Sequence, residues 1–142
     1  MSLCTDKFFF SAIAKSQAVQ DATGGRIYNT ADDSVENEED TQVPYVIITN
    51  NGGQNQTESK DDVGESDTDT DNISIEIAAT SREQLADIAK AVRKAVKAEF
   101  ADTVEDSMIY DYTFSYGPVN FDEWKPCFWQ TLNYQCETTA EE

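Results

Sequence analysis

Asp71-Asn72-Ile73-Ser74-Ile75-Glu76-Ile77-Ala78-Ala79-Thr80-Ser81-Arg82-Glu83-Gln84-Leu85, running on through Ile88, Val92 and Val96 to Phe100, is the stretch whose reading decides the fold. Ile73, Ile75, Ile77 and Ala79 alternate with Ser74, Glu76 and Ala78, the period of two expected of a strand with one buried face. Ser81 with Gln84, and Thr80 with Glu83, fit the capping box that satisfies the first amides of a helix. Leu85, Ile88, Ala89, Val92, Ala95, Val96 and Phe100 then share one apolar arc at helical spacing. Lys90, Arg93, Lys94 and Lys97 lie off that arc in the second half of the helix, where positive charge complements the dipole. A helix this one-sided needs a sheet beneath it, and the preceding strand supplies one.

Working outward, residues 6–20 predict a first helix capped by Thr5 or Asp6, with Phe8, Phe9, Ala12, Ile13 and Val19 on one arc. Gly24-Gly25 supplies the left-handed geometry of a helix end, and Arg26-Ile27-Tyr28 is a short extended piece. Pro44 opens a strand, Tyr45 to Thr49, that is apolar on both faces and so belongs in the middle of a sheet. Asn51-Gly52-Gly53 is a turn signal. Tyr110, Tyr112, Phe114 and Tyr116 alternate along a further strand, Gly117-Pro118 turns the chain, and Phe121 to Glu123 continues the connection. A last strand places Phe128, Gln130, Leu132, Tyr134 and Cys136 on one face. The expectation is one α+β domain over residues 1–142. It has an antiparallel sheet of about four main strands, 44–49 paired with 72–79, and two helices packed on one face. Mobile acidic loops are expected at about 29–42 and 51–70, with a frayed tail at 137–142.

Charge narrows the function. The 142 residues carry a formal net charge of −18 and no histidine. Asp32 to Asp40 holds six acids and Glu58 to Asp71 seven, so two short stretches account for thirteen of the 28. Such a balance argues against sequence-independent nucleic-acid binding, which needs Lys and Arg to neutralise phosphate, and against an anionic membrane surface. Without histidine there is no Ser-His-Asp or Cys-His catalysis and no histidine-ligated metal. Cys4, Cys127 and Cys136 have neither a zinc nor an iron–sulfur spacing. Cys127 and Cys136, nine residues apart on one strand, would lie about 30 Å apart, too far for a disulfide. With no secretion signal or apolar span legible, a reducing compartment is expected. No phosphate-binding loop or dinucleotide fingerprint occurs, and no cofactor is expected.

Three features could still carry chemistry. Asp67, Asp69 and Asp71 match positions 1, 3 and 5 of a calcium loop, but Asn72 stands where glycine is needed and Ala78 where the bidentate glutamate is needed. A solvated acidic loop outweighs a calcium site there. Lys90, Arg93, Lys94 and Lys97 could dock an acidic partner, against the plainer reading of dipole complementation and a soluble face. The aromatic strand could stack bases, but no basic residue lies between Lys97 and Lys125, and core packing is the heavier reading.

The order of these features resembles the small tail-completion proteins of long-tailed bacteriophages and prophages, a group similar to the lambda-like tail terminators. The residues that carry the resemblance are Gly24-Gly25-Arg26-Ile27-Tyr28 after a first helix, then an acidic gap and Pro44-Tyr45-Val46-Ile47-Ile48. An acidic Gly/Thr/Asp loop, the Ile73–Ala79 strand and the helix Ala86-Asp87-Ile88-Ala89-Lys90-Ala91-Val92 follow. It spans residues 6 to about 100 well and the last two strands loosely; the acidic 29–42 stretch and the aromatic 110–134 region fit it less well. The resemblance implies a non-enzymatic virion protein of the tail or neck, assembled in the bacterial cytoplasm. It further implies a ring, commonly a hexamer, that caps the tail tube and contacts tube and head–tail connector proteins. Two other classes stay open on the residues alone. One is an acidic protein-interaction module, including a nucleic-acid mimic; the other is a small ligand-binding domain or enzyme with an unrecognised site.

Overall fold

The isoleucine alternation folds as a strand with one sealed face. In the computed structural model, Ile73, Ile75 and Ile77 are buried while Asn72, Ser74 and Glu76 are half-buried. The structure describes residues 5–30, 42–55, 68–103, 109–123 and 126–139. In chain order the elements are α1 (Thr5–Ala14), α2 (Gln17–Thr23), β1 (Ile27–Asn29), β2 (Tyr45–Asn55), β3 (Thr68–Ala79), α3 (Arg82–Thr103), β4 (Ile109–Tyr116), β5 (Asn120–Asp122) and β6 (Cys127–Thr139).

The sheet order is β1-β2-β3-β6-β4, with β5 also paired to β6. β2 and β3 are antiparallel partners as expected, Val46 opposite Ile77 and Ile48 opposite Ile75. The all-antiparallel expectation is corrected at one edge: β1 runs parallel to β2, Ile27 beside Val46. The physical reason is connection length. Fifteen residues separate Asn29 from Tyr45, enough for the crossover a parallel pair requires and far more than a hairpin needs. The expected four main strands are β2, β3, β4 and β6, and two three-residue strands raise the total to six among the described residues. One of these is β5, which pairs Phe121 with Phe128 where a plain connection was expected.

Among the described residues the helix count is also corrected, from two to three. The expected 6–20 helix breaks at Lys15-Ser16 and restarts, because the Ser16 hydroxyl accepts the Val19 amide as an N-cap. Gly24 ends α2 at φ 65°, its neighbour Gly25 at φ 82°, and both conformations favour glycine. At the start of α3 the Ser81 hydroxyl accepts the Gln84 amide. The Gln84 side chain reaches back to the amide of Thr80, one residue earlier than a strict capping box.

Two of the loop boundaries move. Asn51-Gly52-Gly53 does not turn the chain; it makes a bulge, with a register shift between Asn50 and Gly53, and β2 continues to Asn55 opposite Asp69. Positive φ at Gly52 (81°) and the Asn50 side chain accepting the Gly52 amide serve a bulge as well as a turn. Glu137 to Thr139, expected to fray, pair with Thr68 to Thr70. Asn29 and Thr30, expected in a loop, close β1, the Thr30 amide donating to the Ile48 carbonyl. The remainder of the expected loops, 31–41 and 56–67, and Cys4 lie outside the described residues.

All three helices feed one core. Phe9 and Ile13 of α1, Val19 of α2 and Leu85, Ile88, Val92 and Val96 of α3 meet Val46, Ile48, Ile73, Ile75, Ile77, Leu132 and Tyr134 of the sheet. Each such side chain contributes about 1.5–3 kcal/mol by leaving water. A smaller cluster of Tyr45, Ile47, Ala78 and Cys127, with Tyr28 and Trp129 against it, fills the other face. That accounts for β2 being apolar on both sides.

Candidate functional site

Charge and aromatic side chains meet on the helix side of the sheet, at its β4 edge. α3 runs antiparallel to β4, so its last turns lie over the beginning of that strand. Phe100 stacks on Tyr112, ring centroids 4.4 Å apart and planes 14° apart. About two helical turns earlier the Arg93 guanidinium sits 4.1 Å from the centre of the Phe114 ring, a cation–π contact. Beyond it, toward the start of α3, Tyr116 is 66% exposed at the end of β4. Between helix and strand lies a cleft of about 570 Å³, walled by Lys90, Arg93, Lys94 and Lys97 and floored by Tyr112, Phe114, Leu132 and Tyr134.

The four basic residues are exposed, and among the described residues none of them pairs with a carboxylate. The contrast with the rest of the chain is large. Four of the ten Lys and Arg line one cleft that, among the described residues, no Asp or Glu lines. Lys90 and Lys94 also border a second cleft, about 460 Å³, between α3 and the α1–α2 corner. Lys15 there is 2.7 Å from Glu99, so that cleft is electrostatically balanced in a way the first is not.

The cleft is suited to binding rather than to proton chemistry. Burial, with the Tyr112 hydroxyl adding to it and Arg93 opposing it, holds the Tyr134 phenol above the usual tyrosine range, so it stays protonated. Gln130 is engaged in holding the β4–β5 corner, its side chain donating to the Gly117 carbonyl. What the walls offer is fixed positive charge over an apolar floor.

Sequence reasoning read the basic stripe and the aromatic strand as separate features and did not join them. The missing link was antiparallel packing of α3 on β4. Only five residues part Thr103 from Ile109, a connection short enough to make helix and strand neighbours. Base stacking is limited by the same packing: Tyr112 has Phe100 on its ring and Phe114 has Arg93, leaving Tyr116 as the open ring.

The residues that carry the family resemblance form a joint. The Arg26 side chain donates to the Pro44 carbonyl at 2.9 Å, and the Val46 amide donates to the Arg26 carbonyl at 3.0 Å. Gly24-Gly25 therefore turns α2 into β1, and Arg26 fastens β1 to the start of β2. Tyr28 pairs beside Ile47, and Tyr45 donates to Glu76 at 3.1 Å. Asp69 and Asp71 are buried in β3, opposite Asn55 and Gly53 on one side and Thr138 and Cys136 on the other. Asp67 lies outside the described residues. Among those described, no three His, Cys, Asp or Glu side chains come together as a metal site, and no helix is long and apolar enough to cross a membrane.

No model of a known protein family matches the sequence, and no curated protein matches it. Among solved structures, the fold is similar to that of a chain from the virion of a native gene transfer agent particle. The TM-score is 0.57 at 9% identity, covering 96% of this chain and 95% of the other. At that identity the likeness is one of fold.

Proposed function

We propose that this chain is a non-enzymatic structural subunit of a phage-type virion. In this reading it is a tail-completion or terminator protein that forms a ring at the end of the tail tube, in the joint to the head. The observation that carries the reading is the end-to-end match of its fold to a chain of a gene transfer agent virion, with almost nothing of either chain left over. Two features support it. The residues that resemble tail-completion proteins build the α2–β1–β2 joint of this fold. A basic surface with no carboxylate partner among the described residues lies at a sheet edge, where a neighbouring subunit or a tube protein can reach it.

Ring contacts are heterologous: one surface of each subunit meets a different surface of the next. Exposed ion pairs contribute about 0–1 kcal/mol each, so the ring forms on the tube end, which templates it, and free subunits remain monomeric. The test mixes the protein with tail tubes of its own phage and images tube ends and lengths. Wild type is expected to cap the ends and stop growth, and Arg93→Glu with Lys97→Glu to cap poorly. Tubes that grow on uncapped in the presence of wild type overturn the terminator reading.

A further inference from the structure

β4 presents an edge that is open over a short, defined stretch. Among the described residues it pairs with β6 alone. The Gly117 amide donates to the Thr131 carbonyl across that pair at 3.0 Å. Amides two residues apart point to the same side of a strand. Thr113 and Ser115 therefore also face β6, and Tyr112, Phe114 and Tyr116 turn their N–H and C=O groups outward. Two features bound this edge. The Tyr112 amide is held by the Asp111 carboxylate at 2.8 Å, and Pro118 has no amide to give. Phe114 and Tyr116 are left to pair with an added strand.

The basic row of α3 decides what that strand carries. In an antiparallel pair, the residues that exchange bonds with Phe114 and Tyr116 lie directly opposite them and project to the same face, here the face under α3. Arg93 stands over Phe114, with Lys97 a turn to one side along the helix and Lys90 to the other. Residues four apart on a helix are about 6 Å apart along its axis, and alternate residues of a strand advance about 6.7 Å. Carboxylates at every second position therefore keep step with Arg93 and Lys97, or with Lys90 and Lys94. On the opposite face Thr113 and Ser115 are exposed beside Asp111, which favours uncharged residues at the positions between. We propose that the α3–β4 cleft docks a short extended segment of a partner protein. Its Asp or Glu side chains alternate along the basic row, and its backbone pairs with Phe114 and Tyr116.

The partner is a protein of different sequence. Among the described residues, β1, β5 and the far end of β2 carry only one acid between them, Asp122. The alternating acids Asp69 and Asp71 sit inside the sheet, between β2 and β6. A second copy therefore offers no described strand edge of the required pattern, in keeping with a monomeric free subunit. On the ring reading, which the inference uses only for the partner's place, that partner is the tube or connector protein. Nucleic acid fits the cleft less well. A net charge of −18 repels phosphate, and the rings of Tyr112 and Phe114 are already covered by Phe100 and Arg93.

The probe is a short capped peptide of alternating threonine and glutamate, titrated at low salt against the whole protein while backbone amides are followed by NMR. The Phe114 and Tyr116 amide signals are expected to shift saturably and their hydrogen exchange to slow. Binding is expected to weaken at least about tenfold in Lys90→Glu with Lys97→Glu, and to fall with added salt. Both side chains are exposed, and the melting curve verifies that this variant keeps its fold. Methylating the glutamate nitrogens of the peptide removes the amides that reach β4 and leaves the charge, and is expected to abolish binding. A peptide that does not bind overturns the proposal, as does a methylated peptide that binds equally well. So does an oligothymidylate that binds the cleft more tightly than the peptide. Self-association of wild type that the double variant loses overturns it too, since the occupant is then a second copy. Tube capping by wild type is scored separately: capping without peptide binding overturns the strand site and leaves the ring, and peptide binding without capping does the reverse.

Discussion

Gly53 sits where the β2 and β3 backbones come close together. A Cβ there would overlap the Thr70 carbonyl across the β2–β3 pair, whereas a Cβ on Gly52 would meet open space but at φ 81°. The two glycines are therefore required for different reasons, one by space and one by backbone conformation. Gly53→Ala is expected to cost about 2 kcal/mol or more, because backbone must move. Gly52→Ala should cost only about 1–2 kcal/mol, the penalty of left-handed geometry. Urea melts of the two variants check the order. Cys136 supplies a second residue-scale test. Burial, reinforced by the nearby Asp71 carboxylate, pushes its thiol from 9.0 up to about 12. A thiol raised in the fold stabilises it fully below pH 9, and that contribution is lost as pH climbs from 9 to 12. The buried Tyr134 phenol acts in the same direction above its ordinary value of 10.0. The melting midpoint is expected to fall steadily above pH 9. Cys136 should resist alkylation at neutral pH until the protein unfolds; rapid labelling of native Cys136 would contradict its placement.

At the scale of elements, α3 is held to the sheet by Leu85, Ile88, Val92 and Val96, all buried. Val92 is at 0% exposure near the middle of that row. Val92→Asp puts a carboxylate among aliphatic side chains, at a cost of several kcal/mol that exceeds what a domain of ordinary stability can lose. The expected outcome is loss of the cooperative melt, and a soluble variant with a normal midpoint would show the helix packed by another face. This apolar arc was legible because helical periodicity reports directly which side is buried. The Ser16 break was not. A serine inside an apolar pattern reads as an ordinary helix residue until the Val19 amide is seen to cap on it. The bulge at Asn51-Gly52-Gly53 was misread for a related reason. Turns and bulges ask for the same residues, and only pairing with a partner strand tells them apart.

For the molecule as a whole, the sheet's two edges matter more than its centre. Among the described residues β1 closes one edge, and β4 closes the other beneath the basic row of α3. The sequence by itself determined the long strands, the buried faces of α1 and α3, the glycine end of α2 and the want of histidine chemistry. Each of these is written in local order, as a period of 2 or 3.6 or as a residue type. It also contained both halves of the cleft, but as a basic stripe at Lys90–Lys97 and an aromatic strand at Tyr110–Tyr116 with no visible relation. Only the tertiary structure decided that Arg93 lies over Phe114 and that, among the described residues, β4 is an edge and no carboxylate enters the cleft. Those facts depend on which elements pack side by side, and that is settled by the shared core of Phe9, Phe100, Tyr112 and Tyr134, whose members lie far apart along the chain.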